Sequence, residues 1–552
     1  MIRFGGLALA ISSLLLTGAC GDDAGGSPGS ARDGDSYHSP APQNSGAGGS
    51  GGSGGSGYTG SQDSDGYWYD DGSGAVSGDK YETVGTNPFV FTAFDPLSTF
   101  AADVDTASYD IFRRDAEYNR LPHKDSVRLE EFINYFKYDY APPAADAKDP
   151  FAITLTAAPN PFTSSTIVSV GIKGKEVPFE ARPANLVFLI DVSGSMSSSK
   201  KLPLVKTLLL TTIDVLDSKS TISIVTYAGN VSVRLPPTSV ADKATISAAI
   251  NGLSSGGSTA GAAGIDLAYQ QAELGFIEDG INHILLCSDG DFNVGASSND
   301  ALVTLIEQKR KTGITLTVLG FGSGNLNDSM MEAITNAGNG IYGVISSEDQ
   351  AIKYANERLL NTFNLIAKDV KIQVEFNTQQ VFAYRLLGYE NRDIPDEQFT
   401  DDKVDAGEVG SGHNVTALYE VILAGSQIPT PPGAPVPLSG PDYEEILNMD
   451  STELFRVRLR YKAPNATEED AAMEMTQSLD AAKSLSEFSS TSADFQWSTM
   501  IATFAEILKE SPYAQKGAMA SILSVATANA GTDGDRLEFL TLLNNVSSLI
   551  TP

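Results

Sequence analysis

Cysteine is nearly missing from this chain: Cys20 and Cys287 are the only two in 552 residues. No disulfide framework can organise it, so a folded body must rest on its apolar core. Histidine is almost as scarce. His38, His123, His283 and His413 are scattered and unpaired, which leaves neither a zinc site nor a Ser-His-Asp triad. Basic charge is short as well, with 37 Lys and Arg against 69 Asp and Glu, net −32. This balance excludes nucleic acid, whose phosphates need a basic footprint. It also disfavours docking on anionic lipid through a polybasic patch, and a divalent cation is the partner it accepts most easily. No Gly-x-x-x-x-Gly-Lys-Ser/Thr phosphate loop occurs. Ser195 is flanked by Ser193 and Ser197 where a serine nucleophile elbow needs glycines.

What is present begins with a leader. Residues 1–20 hold a single charge at Arg3, an apolar run over 4–16, and small residues before Cys20. This pattern is expected of an export signal and is shorter than the roughly 20 apolar residues of a bilayer-spanning helix. The end of the segment, Leu16-Thr17-Gly18-Ala19-Cys20, resembles a bacterial lipobox, with Thr17 where that motif prefers a large aliphatic residue. The resemblance implies that Cys20 is acylated and anchors the chain to a lipid bilayer of the bacterial envelope, at the outer membrane, its periplasmic face or the cell surface. Ordinary signal cleavage nearby is the competing reading. Gly21 is not the Asp that retains some lipoproteins at the inner membrane, which favours an outward location. Residues 21–80 are Gly, Ser and Asp with scattered Tyr, too poor in apolar area to offset the entropy of ordering, and are expected to be a tether.

Folded sequence starts near Asn87. Within 87–181, Val127, Leu129, Phe132, Ile133 and Phe136 recur at helical spacing over 126–138, and 151–157 and 166–173 read as strands. Residues 182–365 alternate short apolar runs with helical patterns. Strands are expected at 186–190, 221–227, 283–288 and 314–320, and helices at 202–216, 243–253, 260–274 and 299–311, with helical pattern to the end. Apolar runs unbroken by polar residues imply strands buried on both faces, hence an α/β fold with a doubly wound, mostly parallel sheet. Ligand sites of such sheets lie at the carboxyl ends of strands. Cys287, within one of these runs, reads as a small buried hydrophobe. Residues 366–465 return to strand pattern at 370–376, 416–423 and 454–461, interrupted by a loop with six prolines at 428–441. Residues 466–552 read as helical, with Trp497, Met500, Ile501, Phe504 and Leu508 on one face. The α/β unit is therefore expected to be inserted between β-rich flanks, with 366–465 forming one sandwich with 150–181.

The chemistry concentrates in three segments of the α/β unit. Asp191, Ser193 and Ser195 alternate at a strand end, Thr259 lies in a Gly-Gly-Ser-Thr loop before a helix, and Asp289 ends another strand. All three segments are expected at one sheet edge. Five hard oxygen donors with only two charges suit Mg²⁺, with Mn²⁺ or Ca²⁺ as substitutes, and leave a coordination shell that a partner's carboxylate can complete.

Asp-x-Ser-x-Ser, the distant Thr and the third-segment Asp resemble the metal-ion-dependent adhesion site, or MIDAS, of von Willebrand factor A domains. The resemblance implies that Ser193, Ser195 and Thr259 touch the metal by hydroxyl while Asp191 and Asp289 act directly or through water, and that the ligand is a protein. Beyond this unit, Ser98-Thr99-Phe100, the run Asp103 to Tyr109, Asp405-Ala406-Gly407-Glu408, the run His413 to Glu420 and the run Arg458 to Lys462 are similar to the YfbK-like group of bacterial lipoproteins. From about Asn87 onward the chain shares that group's architecture.

The resulting expectation is a non-enzymatic, metal-dependent adhesion protein of the envelope. A metal-independent scaffold of an envelope complex competes with it. So does an enzyme built on Asp103 and Asp105, a carboxylate pair similar to that of haloacid dehalogenase-type phosphatases. That pair lacks a preceding hydrophobic strand and has Ala107 where Thr or Val belongs; buried or turn-capping carboxylates explain it more simply.

Overall fold

The structure, a computed structural model, describes residues 78–178, 182–257, 261–290, 299–426, 449–467 and 469–550. The leader with Cys20, the tether up to residue 77, Thr259 and the proline-rich stretch 428–441 lie outside them. In chain order, β1 (Val90–Phe91) and β2 (Leu97–Ala101) lead to α1 (Ala107–Ala116), α2 (Leu129–Asn134) and the hairpin β3 (Phe151–Pro159) and β4 (Thr166–Gly174). The α/β unit follows as β5 (Ala184–Asp191), α3 (Leu202–Val215), β6 (Thr221–Tyr227), β7 (Val231–Ser239), α4 (Lys243–Asn251), α5 (Gly261–Leu274), β8 (Ile281–Ser288), α6 (Asn299–Arg310), β9 (Thr315–Phe321), α7 (Asp328–Ala337) and β10 (Tyr342–Ile345). Its last helix is continuous through α8 (Glu348–Lys353), a π-helical turn Tyr354–Arg358 and α9 (Leu359–Phe363). Strands β11 (Leu365–Phe376), β12 (Val381–Leu387), β13 (Gly407–Gly410), β14 (Asn414–Leu423), β15 (Glu453–Lys462) and β16 (Met473–Asp480) come next, then α10 (Ala493–Leu508), α11 (Met519–Asn529) and α12 (Gly534–Ser547).

The central sheet has the order β10-β9-β8-β5-β6-β7, parallel except for β7, which runs antiparallel at the edge. Every residue of β5 and β8 is buried, as their uninterrupted apolar runs require. Leu186, Phe188 and Ile190 face one core with Val205, Leu208 and Leu209 of α3. Val187 and Leu189 face the other, with Ile265, Ala268 and Tyr269 of α5. This two-faced covering is the doubly wound α/β fold. Two strands depart from the sequence expectation. β7 mixes exposed and half-buried residues, and the four-residue β10 lies inside a stretch read as helical. β10 is too short to carry a period of its own; its pairing with β9 and its cover by Ala107 and Ile111 of α1 define it.

The flanks form one sandwich. One sheet runs β1-β12-β14-β4-β3; the other runs β13-β11-β15-β16, with β2 also on β11. Val168, Val170, Tyr419 and Val421 of the first share a core with Ile372, Val374, Val457 and Leu459 of the second. The α/β unit leaves this sandwich after β4 and re-enters it at β11. On the outer side of the first sheet, Ile167, Leu387 and Leu418 join α1, α2 and the C-terminal helices in an aromatic core, with Trp497 5.2 Å from Phe136 and 5.5 Å from Phe539 between ring centroids. The C-terminal region is not wholly helical. Met473–Asp480 is an edge strand on β15, whose mostly exposed or half-buried residues gave no apolar alternation to read. The amphipathic stretch 126–138 is a shorter helix, Leu129–Asn134, preceded by a 3₁₀ turn at Lys124–Ser126. Among the described residues no helix is long and apolar enough to cross a membrane.

Candidate metal centre

Parallel pairing puts the acidic strand ends side by side. Ile190 is level with Cys287, so Asp191 leaves the sheet at the same edge as Ser288 and Asp289. Both aspartates are fully buried and Ser193 nearly so. The chain turns sharply after Asp191, whose Oδ1 accepts the Ser193 amide at 2.8 Å. Ser193 then caps a 3₁₀ turn, Gly194–Ser197, which brings the Ser193 and Ser195 hydroxyls to 2.8 Å from each other.

The loop leading to Thr259 is latched onto this turn by two backbone hydrogen bonds. Gly256 N donates to Val192 O at 2.7 Å and Gly194 N donates to Gly257 O at 3.1 Å. Gly257 has φ +93°, a backbone state that side chains oppose. At the third segment Gly290 follows Asp289 with φ +95°, and a Cβ there would stand 2.5 Å from Leu326 Cα and Asn327 N. Glycine is therefore required where β8 turns away from the site. Asp191, Ser193, Ser195 and Asp289 thus stand at one edge; Thr259, two residues beyond Gly257, is outside the described residues.

Burial pushes the Asp191 carboxyl up to about 6; the Ser193 amide opposes this and the charge of Asp289 adds to it. Asp191 Oδ2 also accepts the Ser288 hydroxyl at 3.3 Å. Asp289 Oδ2 is held by Lys201 Nζ at 3.0 Å, and the same ammonium donates to Asn325 Oδ1 at 2.9 Å. Lys201, 1% exposed, was not singled out by sequence reasoning. It lies in a polar Ser-Ser-Lys-Lys run that resembles a solvated surface, and only the fold turns it inward. Two buried carboxylates and two hydroxyls beside one ammonium are a hard-oxygen donor set suited to a small divalent cation.

Two further carboxylate clusters are already matched. Arg392 reaches Asp103 through Nε and Asp105 through Nη2, each at 2.8 Å, and Glu332 at 3.1 Å. Asp103 Oδ1 also caps the Asp105 amide at 2.8 Å, and Asp105 Oδ1 accepts the Tyr342 amide at 2.8 Å. This pair ties the flank to β10 in a structural arrangement. A third cluster, Asp369, Asp405 and Glu408, is paired with Lys462 at 3.3 Å, Arg310 at 2.7 Å and the Asn339 amide. His283 is a core residue, its Nδ1 2.6 Å from Thr315 Oγ1 and its ring pushed down to about 3 by burial. Cys287 is fully buried.

Comparison with known proteins places these segments in context. Residues 185–358 match the von Willebrand factor type A domain family, residues 75–168 a family described as von Willebrand factor, and residues 361–549 one described as Uncharacterized protein YfbK, C-terminal. Over 479 residues the chain is 37% identical to Uncharacterized protein YfbK of Escherichia coli (strain K12), covering 84% of this chain and 80% of that protein. Among solved structures it is similar to the von Willebrand factor type A protein from Catenulispora acidiphila, with TM-score 0.40 and 15% identity over 73% of this chain and 92% of that one. A shorter match, at TM-score 0.27 and 23% identity over 33% of this chain and 46% of that one, is to proximal thread matrix protein 1 from the mussel byssus with a zinc occupied MIDAS motif.

Proposed function

Because the chain belongs to the YfbK family of von Willebrand factor type A domain proteins, we propose that it is a non-enzymatic binding protein that grips a protein partner through a divalent cation, Mg²⁺ by preference, at the edge formed by β5 and β8. Von Willebrand factor A domains often use a MIDAS site in adhesion. In this reading Asp191, Ser193, Ser195, Thr259 and Asp289 supply oxygens, and a carboxylate of the partner completes the shell. The bound ion contributes a concentrated positive charge in a partly dry site, where attraction to a carboxylate is stronger than in water.

The observation that carries the reading is the convergence of two buried aspartates with the Ser193 and Ser195 hydroxyls 2.8 Å apart. This chain's residues do the orienting. The Ser193 amide fixes one oxygen of Asp191, and the glycine loop is latched to the turn that carries Ser193 and Ser195, while Lys201 occupies Asp289 and would be displaced by the ion. Acylated Cys20 and the Gly/Ser/Asp tether would present this edge from the bacterial envelope.

The test is a titration of the protein with Mg²⁺, Mn²⁺ and Ca²⁺, followed by a pull-down from envelope extract with Mg²⁺, with EDTA, and with Asp191→Ala. We expect Asp191→Ala to weaken metal binding by about a hundredfold or more and to release the same partner that EDTA releases. Partners retained under all three conditions would put a metal-independent scaffold in place of this reading.

A further inference from the structure

A second feature lies at the other edge of the same sheet. The last helix begins after β10 at the metal edge and runs back until Phe363 meets the His283 ring at 4.5 Å, near the start of β8. There, between this helix, the segment after α2 and the loops of the sandwich, is a cavity of about 700 Å³, within the roughly 300–1,000 Å³ range of small-molecule sites. Phe136, Val177 and Ile341 give it apolar wall; Lys173, Arg358 and His413 give it charge and polarity.

At its mouth the exposed Lys137 and Glu357 pair at 2.7 Å, and the half-buried Lys173 meets the exposed Glu176 at 3.7 Å. Arg358 differs. It donates from Nη2 to the Tyr135 carbonyl at 3.2 Å and stacks over the Tyr135 ring at 4.2 Å, and no carboxylate among the described residues lies within ion-pair distance. Asp110 and Asp535 act on it only from farther away. The Nδ1 of His413 and the Oδ1 of Asn414, both in the cavity wall, are buried without a hydrogen-bond partner. Burial first, then the positive charges of Arg358 and Lys173, hold the His413 ring down at about 4, so the imidazole is neutral. A guanidinium without a neighbouring carboxylate, beside a His413 Nδ1 that donates in one neutral tautomer, is suited to a planar or tetrahedral anion, while Asn414 Oδ1, an acceptor, fits a hydroxyl or other donor on the same ligand.

We infer that this cavity binds a small organic anion, a carboxylate or phosphate monoester on an apolar body, held by Arg358 with Lys173 and His413 beside it. Arg358 ends the π-helical turn Tyr354–Arg358, an irregularity frequent at functional sites. The ligand would therefore rest directly on the helix that also borders the metal edge.

The experiment titrates the full-length chain, in EDTA so that the metal site plays no part, with benzoate, phenyl phosphate and uncharged benzamide. It follows the His413 ring by NMR and hydrogen exchange over residues 354–363. The expected result is that at least one anion shifts His413 and slows exchange, with benzamide about tenfold weaker or worse. Benzoate alone or phenyl phosphate alone would identify the carboxylate or the phosphate class. Arg358→Gln should weaken the anion about tenfold. If that variant does not fold, Lys173→Met should weaken it about threefold. No response to either anion at about 10 mM, equal binding of benzamide, or full affinity in the foldable variants would overturn the proposal.

Discussion

Asp103 with Asp105 and Asp191 with Asp289 are both pairs of buried aspartates, and they have opposite fates. Arg392 closes the first pair with two 2.8 Å contacts and also takes in Glu332. In the second, Lys201 meets one oxygen of Asp289, and Asp191 accepts the Ser193 amide and the Ser288 hydroxyl with no cation within ion-pair distance among the described residues. What separates a structural carboxylate pair from a binding site is thus the number of opposing charges the fold supplies. A closed pair has little capacity left for a ligand, whereas an open one retains it.

The largest expected effect tests the closed pair. Arg392→Ala would leave three buried carboxylates without their shared cation, and we expect a loss of about 3–5 kcal/mol in urea unfolding with unchanged Mg²⁺ affinity in the fraction that folds. A loss under about 1 kcal/mol would break the contrast between the two pairs.

A smaller effect sharpens the open pair. Lys201→Met removes the cation that occupies Asp289, so Mg²⁺ should bind about tenfold more tightly while the metal-free protein melts at lower temperature. Weaker metal binding would instead make Lys201 chiefly a positioning residue for Asp289.

The smallest effect lies beside the closed pair, at Glu130. Its Oε2 accepts the Tyr389 amide at 2.9 Å, and its Oε1 is buried without a partner. Burial, then Glu390 and Asp103, push its carboxyl up to about 7. The folded protein therefore keeps a proton that the unfolded chain has lost, and stability falls as pH rises from the ordinary glutamate range through about 7. Glu130→Gln copies the protonated form, so its melting temperature should vary less than wild type across that window, by a few °C. Parallel pH profiles for the two proteins would refute the assignment.

Much of the fold was legible because burial on both faces leaves a plain mark. The run at 186–190 is wholly apolar, those at 221–227 and 283–288 carry four apolar residues each, and each lies within an observed strand. Elements defined by a partner were not legible. β10 has four residues, and β16 is stabilised by cross-strand pairs such as Arg458 with Glu474 at 2.8 Å, which leave no alternation of apolar residues. The candidate site divides the same way. Asp191, Ser193, Ser195 and Asp289 could be named because their spacing and their positions at strand ends are local properties. Lys201 and Arg392 could not, since each meets its carboxylates across long separations in sequence.

The sequence by itself determined the α/β class, the strand ends that carry oxygen donors and the lack of histidine or thiol clusters to compete with them, because these follow from residue type and short-range period. The tertiary structure alone decided which carboxylates are neutralised, and that the last helix of the α/β unit borders a cavity lined by Arg358, Lys173 and His413. The reason is physical: electrostatic balance depends on distances between segments remote in sequence, and only packing sets those distances.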